Sequence, residues 1–388
     1  MQQDQCSLVN LIKTVVSFPS TSYNDCGLID FFLSFLLKNG FECHELNFGN
    51  DQISVRNIYA EFGNGSKTLC FAGHLDVVPP GNLSHWRFPP FEPTVCDGLL
   101  YGRGVVDMKS AICAFIISLI EAKDKIDFTS NKISILITSD EEGENFRYGT
   151  QSVVNWLKEN NKNISFCIVG EPTSSKVLGD EIKNGRRGSL NFNLKCFGVQ
   201  GHVAYPNLAL NPIKNILNIL HKMINYKFDD GNKYFSQTKL EITSIDVGNK
   251  VLNIIPNAAE AKFNIRYNNL HTCDSIYSIL INICNDITSD YTLDMVISGE
   301  PFITEYNESV GILCKAIKKN TGCDPILSTS GGTSDARFIK DISQVVEFGL
   351  CNYTAHKVDE SASLSDIRTL KSIYHDFILG FFNVEKTL

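Results

Sequence analysis

No Cys-x-x-Cys pair occurs in this chain, although its 388 residues include 13 cysteines. A thiolate metal site is therefore not signalled. The count is odd and the residues are scattered, several within apolar runs such as TLCFAG, AICAFII and SFCIVG, which reads as small buried thiols in a reducing compartment. A basic surplus is also lacking. The formal net charge of -8 and a pI near 5.5 argue against a nucleic-acid partner. No apolar run is long enough to span a membrane, so no membrane partner is expected. The opening MQQDQCSLVNLIKTVVSFP lacks the basic lead, continuous apolar core and small-residue cleavage site of an export signal, and a cytoplasmic location follows as an expectation. The Gly102-x-Gly104 pair lacks the remainder of a dinucleotide-binding pattern, which discounts a nicotinamide site.

What remains is the composition of an ordinary globular protein, 43% hydrophobic and 20% charged. Its length exceeds the ~250–300 residues at which a single core stops growing, so two domains are expected. Helical spacing of apolar residues runs over 6–18 and 26–38, the second ended by Asn39 and Gly40. Extended segments follow in SVRNIYAEFG and KTLCFAGHLDVV, then a helix over 107–123, a strand in ISILITSD, a helix in SVVNWLKE and a strand in FCIVGEP. Continuous β-branched runs alternating with helices imply an α/β domain with a helix-flanked sheet, where ligands collect beyond the carboxyl ends of the strands. After about residue 180 the pattern becomes two-fold. RGSLNFNLKCFGV, TKLEITSIDVG, EAKFNIRYN and YTLDMVIS read as half-buried strands, with helices in PNLALNPIKNILNILHKMI and over 275–287, giving a small α+β sandwich. Long helices return after Pro301. The smaller domain is expected at 180–293, inserted between 1–179 and 294–388 of the larger.

Five short segments carry the chemistry. His74 and Asp76 lie two apart at the end of an apolar run, so strand alternation points both to one side; His74 is the better zinc ligand, with Asp76 supporting it. Asp107 follows two glycines and is read as opening a helix, where an aspartate is commonly held by backbone donors alone. There it can also give one oxygen to each of two ions. Asp140, Glu141, Glu142 and Glu144 crowd the end of ISILITSD, an arrangement that repels itself without cations unless it is a solvated loop. Glu142 is read as a ligand and Glu141 as the base. Glu171 closes another strand before Pro172, and His356 arrives in NYTAHKVDE. The inventory is His74, Asp107 and Glu171 on one ion, and His356, Asp107 and Glu142 on the other. Oxygen and nitrogen donors suit two Zn2+ per subunit, with Co2+ also possible.

AGHLDVVPPG, GRGVVDMKS, TSDEEG, VGEP, GRRGSL, GHVAYP, NIIP, NIRY, STSGGTSDARF and HKVDE occur in an order that resembles the di-zinc aminoacylase and carboxypeptidase superfamily over nearly the whole chain. The resemblance implies a catalytic domain with a central mixed, helix-flanked sheet, as in zinc aminopeptidases, interrupted by a lid and dimerisation domain. It implies His74, Asp107, Glu142, Glu171 and His356 as metal ligands, with Asp76 and Glu141 as catalytic residues. His202 resembles a histidine that acts across a homodimer interface, although it could equally be a turn histidine. Arg187, Asn253, Arg266, Ser330, Gly331, Thr333 and Asn352 resemble positions that hold substrate, and arginine forks suit a small amide with several carboxylates. The expected reaction is hydrolysis of N-succinyl-LL-2,6-diaminopimelate. A related N-acyl-amino-acid deacylase, such as one acting on N-acetylornithine, is the alternative, and a metal-stabilised binding protein without turnover is the reading from a different class.

Overall fold

A computed structural model of the chain describes residues 2–143 and 146–384. Glu144 falls outside them. Two compact units result: Met1–Asn184, Thr304–Ser328 and Ser334–Leu388 form the larger, and Gly185–Ile303 with Thr329–Thr333 the smaller. These limits lie later than the expected 179/180 and 293/294. Residues Glu181–Lys183 form a strand paired in parallel with Ile326–Ser328 inside the larger sheet, and Tyr291–Gly299 is one continuous strand of the smaller unit that a cut at 293 would sever.

The larger unit is built on an eight-stranded mixed sheet in the order Glu42–Gly49, Ser54–Phe62, Asn131–Thr138, Lys67–His74, Phe166–Val169, Gln344–Glu347, Glu181–Lys183, Ile326–Ser328. The four in the middle run parallel, through the registers Ala72↔Leu136, Phe71↔Ile168 and Val346↔Ile168. Three of them are the continuous apolar runs of a strand buried on both faces, and their residues are almost all buried. Because they are parallel, His74, the Ser139–Glu142 turn and Glu171 all emerge at one end of the sheet.

Helices Ser110–Ala122 and Leu364–Phe381 pack together against this sheet. The first is apolar nearly all round, as a helix enclosed between a sheet and a second helix must be. Phe115 stacks on Phe71 with centroids 4.3 Å apart, and Tyr374 meets both rings edge-on. Ser118 Oγ donates across the helix pair to the Lys371 carbonyl at 2.6 Å. Two glycines let the helical layer close on the sheet beside the site. A Cβ at Gly73 would stand 2.5 Å from the Met108 side chain, and one at Gly170 would stand 2.5 Å from the Phe71 ring. The helix begins at Ser110, three residues later than expected. Asp107 (φ -122°, ψ 96°) and Met108 (φ -133°, ψ 25°) are non-helical, so Asp107 is not held by a helix amino terminus.

The smaller unit is a four-stranded antiparallel sheet, Lys239–Asp246, Ala258–Tyr267, Gly188–Phe197, Tyr291–Gly299, with helices Pro212–Ile224 and Cys273–Asn285 packed on it. Alternating burial along Ala258–Tyr267 gives the one-faced core that its sequence announces. The helix expected across PNLALNPIKNILNILHKMI covers only its last 13 residues, Pro212–Ile224. Asn211 caps it by accepting from the Ile213 N–H at 3.0 Å, and Pro212 takes the first-turn place where no N–H is needed. Among the described residues no helix is long and apolar enough to cross a membrane.

Candidate metal centre

His74 is the last residue of its strand and is 1% exposed. Its Nδ1 lies 2.8 Å from the Asp76 main-chain oxygen, which can only accept, so Nδ1 carries a proton and Nε2 is the nitrogen left to bind a metal once the ring is neutral. Nε2 points at Asp107 Oδ1 (3.1 Å) and Glu171 Oε1 (3.6 Å). His356 Nε2 points at Asp107 Oδ2 (3.1 Å) and Glu142 Oε1 (2.7 Å). Asp107 thus presents one oxygen to each imidazole. The structure brings these five residues together from positions spread over nearly 300 residues of sequence.

The Asp76 carboxylate does more than stand beside His74 as expected. That carboxylate is 3.7 Å from the His74 ring nitrogen, which is satisfied by the main-chain carbonyl instead. Its oxygens accept from the main-chain N–H groups of Glu141 (3.2 Å) and Glu142 (2.9 Å) and from Ser22 Oγ (2.8 Å). Asp76 therefore shapes the turn that carries the two glutamates. Ser22 was not foreseen; a lone serine in a polar stretch gives no local signal.

The electrostatics are those of crowded acceptors. Burial raises the Glu141 and Glu171 carboxyls well above the ordinary range. For Glu171 the neighbouring Asp107 charge adds to this, and for Glu141 the His74 ring partly opposes it. Burial works against the charge on Asp107 too, but the hydrogen bonds from His356 and His74 outweigh it and hold that carboxyl below its usual value. Burial alone would lower His74, yet Asp107 and Glu171 raise it well above its usual value. His356 is pushed up to about 10 by its bonds to Asp107 and Glu142. Without metal the imidazoles must take up protons to lie against these carboxylates. Glu171 Oε1 is buried with no hydrogen-bond partner among the described residues. A cation in place of the protons would meet donor atoms that now face one another, and the nitrogen and oxygen donor set with no thiolate fits zinc. Donor atoms of His74, Asp107 and Glu142 lie within 4.8 Å of one another, a geometry that can hold a metal ion.

The other expected site residues lie elsewhere in the chain. His202 is exposed in the smaller unit, in a two-residue pairing of Gly201–His202 with Ile254–Ile255, and its Nδ1 accepts from the Ala204 N–H at 3.1 Å. Asn253 is beside it in that pairing, accepting from the Val203 N–H through its main-chain oxygen at 3.1 Å. Arg187 reaches Ser236 Oγ at 3.4 Å, and Arg266 stands opposite Ser189 and Lys239 in the sheet. Ser330, Gly331 and Thr333 belong to the short return segment of the smaller unit. The Ser330 carbonyl accepts from Arg186 Nη1 at 2.9 Å, and Gly331, at φ +97°, leaves room for that guanidinium. Asn352 is exposed in the larger unit, near His356 in sequence.

A mixed sheet with histidine and carboxylate donors gathered beyond its parallel strands defines a metal-dependent hydrolase scaffold, and the chain belongs to peptidase family M20/M25/M40, whose family model matches residues 70–380. At the level of particular proteins, it is 54% identical over 378 residues to the succinyl-diaminopimelate desuccinylase of Ehrlichia canis (strain Jake), covering 97% of this chain and 98% of that protein. It is 50% identical to the protein of the same name from Wolbachia pipientis wMel, covering 97% of this chain and 93% of the relative. Among solved structures, the M20 family metallo-carboxypeptidase Sso-CP2 of Sulfolobus solfataricus superposes with a TM-score of 0.79 at 18% identity, covering 97% of this chain and 99% of that one. The expected mixed, helix-flanked sheet with a smaller α+β unit is the fold observed.

Proposed function

We propose that this chain is a zinc-dependent amidohydrolase that cleaves N-succinyl-LL-2,6-diaminopimelate to succinate and LL-2,6-diaminopimelate, a step of lysine and diaminopimelate biosynthesis. The observation that carries the reading is Asp107, whose two oxygens face two different imidazoles while the partly buried carboxyl of Glu141 stands in the adjoining turn. Relatives about half identical over nearly their whole length bear the name of that activity.

His74, Asp107 and Glu171 would hold one ion, and His356, Asp107 and Glu142 the other; Zn2+ is the expected metal and Co2+ fits the same donors. When bound, the ions supply Lewis acidity to the attacking water and to the amide carbonyl. Glu141 takes the proton from that water and returns it to the leaving amine, a role suited to a carboxyl whose burial raises its affinity for protons. Asp76 keeps Glu141 and Glu142 diverging by binding both of their N–H groups. The smaller unit serves as lid and dimerisation domain, with His202 reaching the site of the partner subunit to stabilise the developing oxyanion. Arg187, Asn253, Arg266, Ser330, Gly331, Thr333 and Asn352 hold the carboxylates and amide of the substrate.

Steady-state hydrolysis by the zinc-loaded chain tests this, with N-succinyl-LL-2,6-diaminopimelate compared against N-acetylornithine. A preference for the second substrate would replace the reading by that of a related deacylase. Zinc uptake without turnover of either would favour a binding protein.

A further inference from the structure

Glu360 is fully buried, and its carboxylate contacts no side chain of the candidate centre. Its Oε2 accepts from Arg103 Nη1 at 2.7 Å and from the Gly104 N–H at 3.1 Å. Its Oε1 accepts from the N–H groups of Val106 at 2.8 Å and of Asp107 itself at 3.2 Å. The Glu360 main-chain oxygen also accepts from the Gly102 N–H at 3.0 Å. Arg103, only 2% exposed and lying over the Trp86 ring, extends Nη2 to the main-chain carbonyl of His356 at 3.4 Å. One carboxylate therefore grips the backbone on which Asp107 stands. Through one guanidinium it reaches the backbone on which His356 stands.

A fold-supporting ion pair is the plain alternative, but a buried pair is a weak way to stabilise a fold, since apolar residues of the same volume often do as well. What an apolar pair could not do is fix three consecutive-segment N–H groups against one point. Both segments need such fixing. Asp107 and Met108 leave the helical region just before a helix starts, and His356 (φ +63°) and Asp359 (φ +57°) hold left-handed conformations that are costly for residues with a Cβ. Side chains on backbone of this kind keep a separation such as the 3.1 Å between Asp107 Oδ2 and His356 Nε2 only if neighbouring groups impose it.

We propose that Glu360, acting with Arg103, is a positioning residue that sets the spacing of Asp107 and His356 and hence the affinity of the ion those two residues share with Glu142. The proposal rests on the two-ion reading above. Its test is calorimetric Zn2+ titration of the full chain after chelator stripping, for wild type, Glu360→Gln and Arg103→Lys, with thermal unfolding of the stripped proteins and kcat and KM of the loaded ones. Glutamine keeps the volume and one acceptor oxygen but turns an NH2 toward donors. One of the two Zn2+ sites should weaken by ~10–100-fold, and kcat should fall while KM stays within about threefold. Arg103→Lys keeps the charge beside Glu360 but loses the fork to His356, so it should weaken the same site, and it carries the test if Glu360→Gln does not fold. Variants that melt lower yet take up both ions with wild-type affinity would overturn the assignment and leave Glu360 a structural residue. A wild type that takes up two ions while either folded variant matches it removes only this proposal; a wild type that takes up none removes the two-ion reading and the proposal with it.

Discussion

Replacing Glu141 by glutamine removes a proton acceptor and changes almost nothing else. Its place in the turn is held by its main chain, which donates to Asp76 Oδ1 whatever the side chain is, so the turn and Glu142 should stay where they are. General acid–base catalysis is worth ~10²–10⁴ in rate, or about 2.7–5.4 kcal/mol of barrier. Glu141→Gln should therefore lower kcat by at least ~10² with KM and zinc stoichiometry close to wild type. Stability should move the other way. Burial raises the folded-state pKa of Glu141 above its unfolded value, so the folded chain binds the proton more tightly and loses stability as pH rises from the unfolded pKa toward the folded one. Glutamine cannot ionise and escapes that loss. The stripped variant should thus melt above stripped wild type near pH 8, and the gap should close toward pH 4. Steady-state kinetics, metal analysis and thermal unfolding across pH read out all three. An active Glu141→Gln would refute the assignment of the base, and a variant that melts below wild type at pH 8 would refute the electrostatic argument.

Four further outcomes follow from the structure. Zinc uptake at pH 7 should release protons and weaken as pH falls, because His356 and His74 are held protonated against carboxylates until metal displaces the protons; calorimetry in buffers of different ionisation enthalpy counts them. Saturation at about 100 times Kd should add about 2.7 kcal/mol to stability, and a melting temperature indifferent to zinc would contradict this. Glu61, buried between Lys132 and Lys162, is penalised by burial but held below its usual pKa by those two lysines, so its stabilisation is present above the unfolded pKa and lost as pH falls through the folded one. Glu61→Gln should cost about 1–2 kcal/mol, less than a fully enclosed pair because both lysines are about a quarter exposed, and should flatten the acid limb of a stability curve; an unchanged limb would show that the ion pairs contribute nothing. Gly170→Ala should cost about 1–3 kcal/mol, since its methyl would stand 2.5 Å from Phe71 and 2.7 Å from Met108; a variant as stable as wild type in thermal unfolding would show that the layer closes more loosely than described.

Legibility in the sequence tracked how local the cause was. His74 and Glu171 were readable because each ends a continuous apolar run, and parallel strands deliver such ends to one place. The alternating strands of the smaller unit were readable for the same reason, with two-fold patterning in place of continuous runs. The sequence marks Asp107 as a candidate ligand but not its non-helical backbone. Polar residues before AICAFIISLI look like the first turn of a helix, whereas Glu360, more than 250 positions away in sequence, draws the Val106 and Asp107 N–H groups elsewhere. Strands of three or four residues, such as Glu181–Lys183, Ile326–Ser328 and Gln344–Glu347, are too short to display a period. For Asp76 the spacing of two shows the nearness to His74 but not the bonds to the Glu141 and Glu142 N–H groups, which only the folded turn presents.

The order of the sheet has a consequence during synthesis. Gln344–Glu347 lies inside it, between Phe166–Val169 and Glu181–Lys183, and His356 follows nine residues beyond that strand's end. A ribosome that has made the first 340 residues has produced four of the five side chains gathered at the candidate centre, yet the nascent sheet still lacks the strand beside Phe166–Val169 and has no imidazole opposite the second oxygen of Asp107. Closure of the sheet and of the candidate centre is thereby deferred to one late event of synthesis.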